Sequence, residues 1–267
     1  MKVYFRDLNN YASSFEDLEM HFLKFKEKDW KDHKSAKSLS RYVHTDLFKK
    51  DFTSYLLENF NANFKNDSKI FIEKLTKFDE ALSGSRDHDL CSNDLLIDNE
   101  GMTLCIEAKV NEEFSALNSV QYLKALSAKL DNPCSKFIDR ICSLFFIFSS
   151  TNSSRLNKEK WGDFLNLRYQ LFTGLAGTIA EAKRNNSGTA LFLVLSFKTE
   201  HTDEKKQVKN KQDYLNFLDF LGIDKTAKPP YKLNLNLKSE EKFEVFYAEN
   251  DMDIYIDYLS IDDKDFE

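Results

Sequence analysis

Asn93-Asp-Leu-Leu-Ile-Asp-Asn-Glu-Gly-Met-Thr-Leu-Cys-Ile-Glu-Ala-Lys-Val-Asn-Glu-Glu-Phe114 reads as two strands joined by a tight turn. Leu95, Leu96 and Ile97 form a short apolar run. Asn99-Glu100-Gly101 supplies turn residues, with a glycine able to take positive φ. Residues 103–110 then alternate. Leu104, Ile106, Ala108 and Val110 belong to one face, and Cys105, Glu107 and Lys109 to the other, because strand side chains alternate sides. A hairpin would bring Asp94, at the start of the first strand, beside Glu107 and Lys109.

Two carboxylates and a lysine at one end of a sheet suit a hard divalent cation. Mg²⁺ takes one or two carboxylates and keeps water and phosphate oxygens as its other ligands. A metal held there would lower the pKa of a bound water and offset charge on a phosphorus centre. The lysine would orient that water or stabilise the developing charge.

The pattern Asp94, twelve residues, Glu107-Ala-Lys109 resembles the active-site motif of the PD-(D/E)XK nuclease superfamily. The proline that often precedes the aspartate is replaced here by Asn93. The resemblance implies a restriction-endonuclease-like αβββαβ core in an α/β (α+β, mixed-sheet) protein. It implies Asp94 and Glu107 as ligands of Mg²⁺ or Mn²⁺, Lys109 as the residue that positions the attacking hydroxide, and DNA as partner. It also implies a prokaryotic restriction or defence role, with in-line attack leaving a 5′-phosphate. The superfamily often recruits a further glutamate from the helix before the sheet. Glu80 is the candidate, with Glu73 in reserve, and Asp89 is a rival to Asp94. Members commonly place a Gln or basic residue on the helix after the catalytic strand, which singles out Gln170. On a packed face that side chain needs a polar partner, and an active site would supply one.

Composition sets bounds on these readings. The 267 residues fit one large domain or a domain with a helical annex, and 42% apolar residues supply a core. The 24 Phe accompany many Lys, Asn and Asp, a pattern expected of AT-rich coding. The net charge of −6 argues against a nonspecific DNA coat, though not against local basic groups. Four cysteines without Cys-x-x-Cys spacing argue against structural zinc. The N-terminus lacks an apolar signal segment, and the longest apolar run, 144–148, is too short to span a bilayer. A cytoplasmic location with reduced thiols is expected.

Along the chain, residues 1–66 read as a mostly helical N-terminal region, 67–200 as the nuclease-like core and 201–267 as a C-terminal helix and β-hairpin. Val3-Tyr4-Phe5 suggests a strand, and helices are expected after Ser13, from Ser35 and from Asp46. Apolar spacing predicts a helix over 67–78. Val120, Leu123, Leu126 and Leu130 mark one face of a helix over 117–130, and 144–148 reads as a buried strand. Residues 163–184 form the best helix, whose Gly174 and Gly177 suggest a closely packed backbone. Thr189–Phe197 reads as a fully buried strand. Asp203–Leu221 reads as an amphipathic helix whose Lys205, Lys206 and Lys209 are weak candidates for nucleic-acid contact. Phe243–Tyr247 and Ile254–Leu259 suggest a closing hairpin, which would extend the sheet or serve a homodimer.

Two other readings stand beside the nuclease. One is a catalytically silent nuclease-fold scaffold that binds nucleic acid or protein. The other is an α/β domain in which Glu107 and Lys109 form only a surface ion pair, worth under about 1 kcal/mol.

Overall fold

The computed structural model of the chain describes residues 2–26, 30–31, 34–65, 68–77, 90–99, 101–149, 158–235, 252–262 and 264. These form a mixed α+β structure around one eight-stranded sheet. In chain order the strands are β1 (Lys2–Phe5), β2 (Tyr11–Ala12), β3 (Lys69–Lys77), β4 (Leu90–Asn99), β5 (Met102–Lys109), β6 (Thr189–Lys198), β7 (Tyr231–Leu233) and β8 (Asp253–Asp262). Their spatial order is β2-β1-β3-β4-β5-β6-β8-β7. β3, β4 and β5 form an antiparallel meander, and β6 and then β8 add to β5 in parallel.

Eight helices lie among the described residues. α1 (Phe15–Lys26), α2 (Ser35–Val43) and α3 (Asp46–Phe60) precede β3. α4 (Asn118–Asp131), α5 (Phe137–Ser149), α6 (Lys158–Leu165) and α7 (Tyr169–Arg184) join β5 to β6, and α8 (Glu204–Leu221) follows β6. The first three pack with Leu104, Ile106, Ala108 and Val110, the expected apolar face of β5. The later helices share the opposite core with Ala190, Phe192 and Val194 of β6. Both faces of the central strands are therefore covered, and every residue of β5 is buried, as parallel pairing between helical layers requires.

Local chemistry explains the best-defined ends. Thr45 caps α3 by accepting from the Phe48 N–H at 3.2 Å, and Asn61 closes that helix in the left-handed conformation. Asp203 caps α8 through the Lys205 N–H at 3.0 Å, and Gly222 ends it at φ +71°. In the hairpin, Asn99 faces Met102 and Gly101 takes φ +80°, as its place in the turn requires.

Three expectations are corrected. Residues 69–77 are a strand, not part of a helix: Ile70 and Ile72 face one side and Phe71 the other, and β-branched residues favour this alternation. Residues 144–148 are helical, inside α5, because the apolar pattern continues back through Ile141; a short greasy run alone does not separate buried strand from buried helix. The long helix over 163–184 is broken at 166–168 into α6 and α7. β8 pairs with β6 on one side and β7 on the other, and the Phe243–Tyr247 strand of the expected closing hairpin lies outside the described residues.

The apolar face of α4 is also not the one that packs. Leu123 is 65% exposed and Leu130 86%, while Ala125 is buried. At Gly174 the close neighbour is a side chain rather than a backbone: a Cβ there would stand 2.6 Å from the Phe192 ring.

Candidate active site

Pairing register builds the site. Ile72 faces Leu95 and Lys74 faces Asn93, so Glu73 of β3 stands across from Asp94 of β4. Leu95 faces Ile106, so the next step places Asp94 beside Glu107 of β5. Glu107 in turn pairs with Val194 of β6. Three carboxylate-bearing positions thus form one transverse row, on the face that α7 covers. The regular ladder steps over this row. Glu73 takes φ +55°, a left-handed conformation uncommon outside glycine. Where the β4 ladder ends, the Asp94 carboxylate accepts the Ala108 N–H at 2.8 Å.

Glu107 is 1% exposed and Lys109 5% exposed. Lys109 Nζ donates to Glu107 Oε1 and lies 5.4 Å from the centre of the Phe114 ring. The surface ion pair expected under the bland reading is therefore corrected: this pair is buried. Gln170, in the first turn of α7, donates from Nε2 to the same Glu107 oxygen at 2.5 Å. Its own Oε1 accepts the Ser115 N–H at 3.0 Å, and its N–H donates to Ser115 Oγ at 3.1 Å. The amide thus has partners at both ends.

Burial, then repulsion from Glu107, drives the Asp94 carboxyl well above its ordinary pKa; Lys109 and the Ala108 N–H pull weakly the other way. Burial also raises Glu107, against the opposing attraction of Lys109. Burial pulls the Lys109 ammonium down, but Glu107 and Asp94 outweigh it, and the net direction is up. The site therefore holds two crowded carboxyls, Asp94 and Glu107, beside a lysine whose neighbours favour its charged form.

The loop after β5 is tied down on three sides. Glu112 accepts the Ser35 N–H at 2.7 Å at the start of α2, and its other oxygen accepts the Val110 N–H at 3.1 Å. Burial would raise this carboxyl, but those N–H groups turn it below the usual range. Arg168 bridges Glu113 at 2.9 Å and Asp213 of α8 at 2.8 Å. Lys209 pairs with Glu113 at 2.8 Å, so this candidate nucleic-acid contact is already engaged. Lys205 and Lys206 are exposed on the first turn of α8.

A family model described as a domain of unknown function (DUF6946) matches residues 12–252. The chain belongs to the DUF6946 family. No curated protein and no solved structure matches it.

In this DUF6946 chain, Asp94, Glu107, Lys109 and Gln170 come together as the sequence suggests. Glu80 and Asp89 lie outside the described residues. Glu73 enters the row from a strand, not from the expected helix. Among the described residues no three His, Cys, Asp or Glu side chains are already arranged to hold a metal. The donor chemistry still fits Mg²⁺ or Mn²⁺: two adjacent carboxylates suffice when water completes the shell. Sequence reading missed Ser115, which fixes Gln170, and the helix-capping role of Glu112. Neither carries a local signal, because their partners lie 55 and 77 positions away. Among the described residues no helix is long and apolar enough to cross a membrane.

Proposed function

We propose that this DUF6946 chain is a metal-dependent nuclease of the PD-(D/E)XK type, hydrolysing phosphodiester bonds of DNA. The observation that carries the reading is the convergence of Asp94, Glu107, Lys109 and Gln170 at one point of the sheet. The order helix, three strands, helix, strand (α3, β3–β5, α7, β6) supports it, with α4–α6 inserted before the second helix.

In this reading Asp94 and Glu107 hold Mg²⁺ or Mn²⁺, which when bound lowers the pKa of water and offsets phosphate charge. Lys109 stays protonated near neutral pH and directs its ammonium toward the attacking oxygen or the negative phosphate. Gln170 fixes the rotamer of Glu107, and Ser115 fixes Gln170, the type of outer support that metal-binding carboxylates use. The protein acts in the cytoplasm in a restriction or defence setting.

Supercoiled plasmid and single-stranded DNA, each with Mg²⁺, Mn²⁺ or chelator, test the reading. Metal-dependent cutting by the wild type, absent in Glu107→Ala, is expected. Equal cutting by Glu107→Ala and Lys109→Ala would remove the assignment.

A second reading, a silent scaffold that binds nucleic acid or protein, has one observation in its favour. Glu107 is almost wholly buried and already occupied by Lys109. Calorimetric titration with Mn²⁺ separates the two, since Asp94-dependent binding belongs to the enzyme alone.

A further inference from the structure

The transverse row continues past Glu107. Val194 of β6 pairs with Tyr258 of β8, so Tyr258 belongs to the same face, two strands on. The strand spacing puts the two backbones about 10 Å apart. One step along, Lys109 pairs with Ser196 and Ser196 with Ser260. Above Tyr258 stands α8. Its Lys211 places Nζ 3.8 Å from the centre of the Tyr258 ring and 5.2 Å from that of Tyr214. The Tyr214 and Tyr258 rings lie 5.1 Å apart.

Two features of this cluster serve no structural purpose among the described residues. Tyr214 is 1% exposed, yet its hydroxyl has no hydrogen-bond partner. A buried hydroxyl left unpaired costs about 1–3 kcal/mol. Lys211, reachable from solvent, makes ring contacts but no ion pair; Lys209, on the same helix, pairs with Glu113. Among the described residues, the carboxylate acting on Lys211 electrostatically is Asp257, whose Oδ2 already accepts the Tyr55 hydroxyl at 2.7 Å. What the cluster offers is therefore donors: an ammonium and an unused phenol, while the Ser196 hydroxyl is already engaged with the Tyr258 phenol. Their complement is an anionic oxygen.

We infer that Lys211, Tyr214 and Tyr258 form a subsite for a backbone phosphate of the bound nucleic-acid strand, next to the phosphate that is cut. The inference rests on the nuclease reading and deepens it. The ammonium sits on an aromatic ring, which fixes its position while leaving its N–H groups outward. Anchoring the next phosphate would hold the scissile one against Glu107 and Lys109, the positioning that phosphoryl-transfer catalysis depends on.

Fluorescence anisotropy of a labelled single-stranded DNA tests this in a Glu107→Gln background, where the strand is not consumed. Lys211→Ala is expected to weaken binding about tenfold. It should also flatten the dependence of log affinity on log salt by about 0.7, the value for one single-strand phosphate contact. Lys211→Arg should retain both. Tyr214→Phe should weaken binding while leaving the melting temperature unchanged or higher, since it deletes an unpaired hydroxyl. A purely structural role would instead lower the melting temperature and leave affinity alone. DNA binding with the same affinity and salt slope in Lys211→Ala overturns the subsite and leaves the nuclease reading intact. No binding of DNA by either the wild type or Glu107→Gln overturns both.

Discussion

Gln170 and Glu107 are 63 positions apart in sequence, yet the Gln170 amide donates to the Glu107 carboxylate at 2.5 Å. The other end of that amide is held by Ser115, so the side chain has no freedom to swing away. Replacing it by Leu keeps the bulk and removes both bonds. The expected result is a cleavage rate lowered about 10- to 100-fold, the usual loss when outer support of a metal-binding group is deleted. The fold should survive, because Gln170 is only half buried. A rate unchanged in Gln170→Leu would show that Glu107 needs no such brace.

Lys109 and Glu107 make a buried pair, and removing one partner leaves the other charge uncompensated. Lys109→Met should destabilise the protein by about 3–5 kcal/mol. The double variant Lys109→Met/Glu107→Gln, with both charges gone, should recover most of that loss. Chemical denaturation of the four proteins gives the coupling directly. Additive losses would mean that the two side chains do not interact in solution.

The direction of the Asp94 shift fixes a pH dependence. Its folded carboxyl holds a proton more tightly than the unfolded one does. Below the unfolded value, near 3.9, both states are protonated and the residue costs nothing. As pH rises from there toward the folded value, only the unfolded state ionises, and stability falls. Asp94→Asn cannot ionise and keeps an acceptor for the Ala108 N–H. Its melting temperature should match wild type near pH 4 and exceed it at pH 7, while cleavage is lost. A gap that narrows with rising pH would contradict the assigned direction.

The hairpin was legible because its signals are local: alternation, turn residues and Glu-x-Lys all sit within 22 residues. Glu107 and Lys109 follow from that alternation, and Asp94 from the hairpin that sets its strand beside theirs. Gln170 was reached through the family resemblance, and its partners were not readable, since α4–α6 intervene between it and the strand. Glu73 was misplaced for a physical reason. Ile70, Phe71 and Leu75 satisfy a helical spacing as well as a strand pattern, and the choice is made by β1 and β4 pairing on either side. Propensity yields to such tertiary pairing, and the same holds for 144–148, where neighbours in the helical layer decide. The face of α4 failed because spacing defines an apolar stripe without saying what covers it.

Gly174 gives the last test, one on packing. The edge of the Phe192 ring occupies the space a side chain would need: an added Cβ would lie 2.6 Å from Cε2 and 2.8 Å from Cζ. Alanine in mid-helix would otherwise gain about 1 kcal/mol over glycine. Here the clash should dominate, with Gly174→Ala destabilising by about 1–3 kcal/mol as α7 or the ring is pushed aside. Phe192 belongs to β6, next to the strand that carries Glu107. Displacing α7 would also move Gln170, so cleavage should fall along with the melting temperature. Gly174→Ala combined with Phe192→Leu, which frees the space, should recover part of both. If Gly174→Ala instead melts higher than wild type, the ring yields easily, and the glycine is not required by close packing.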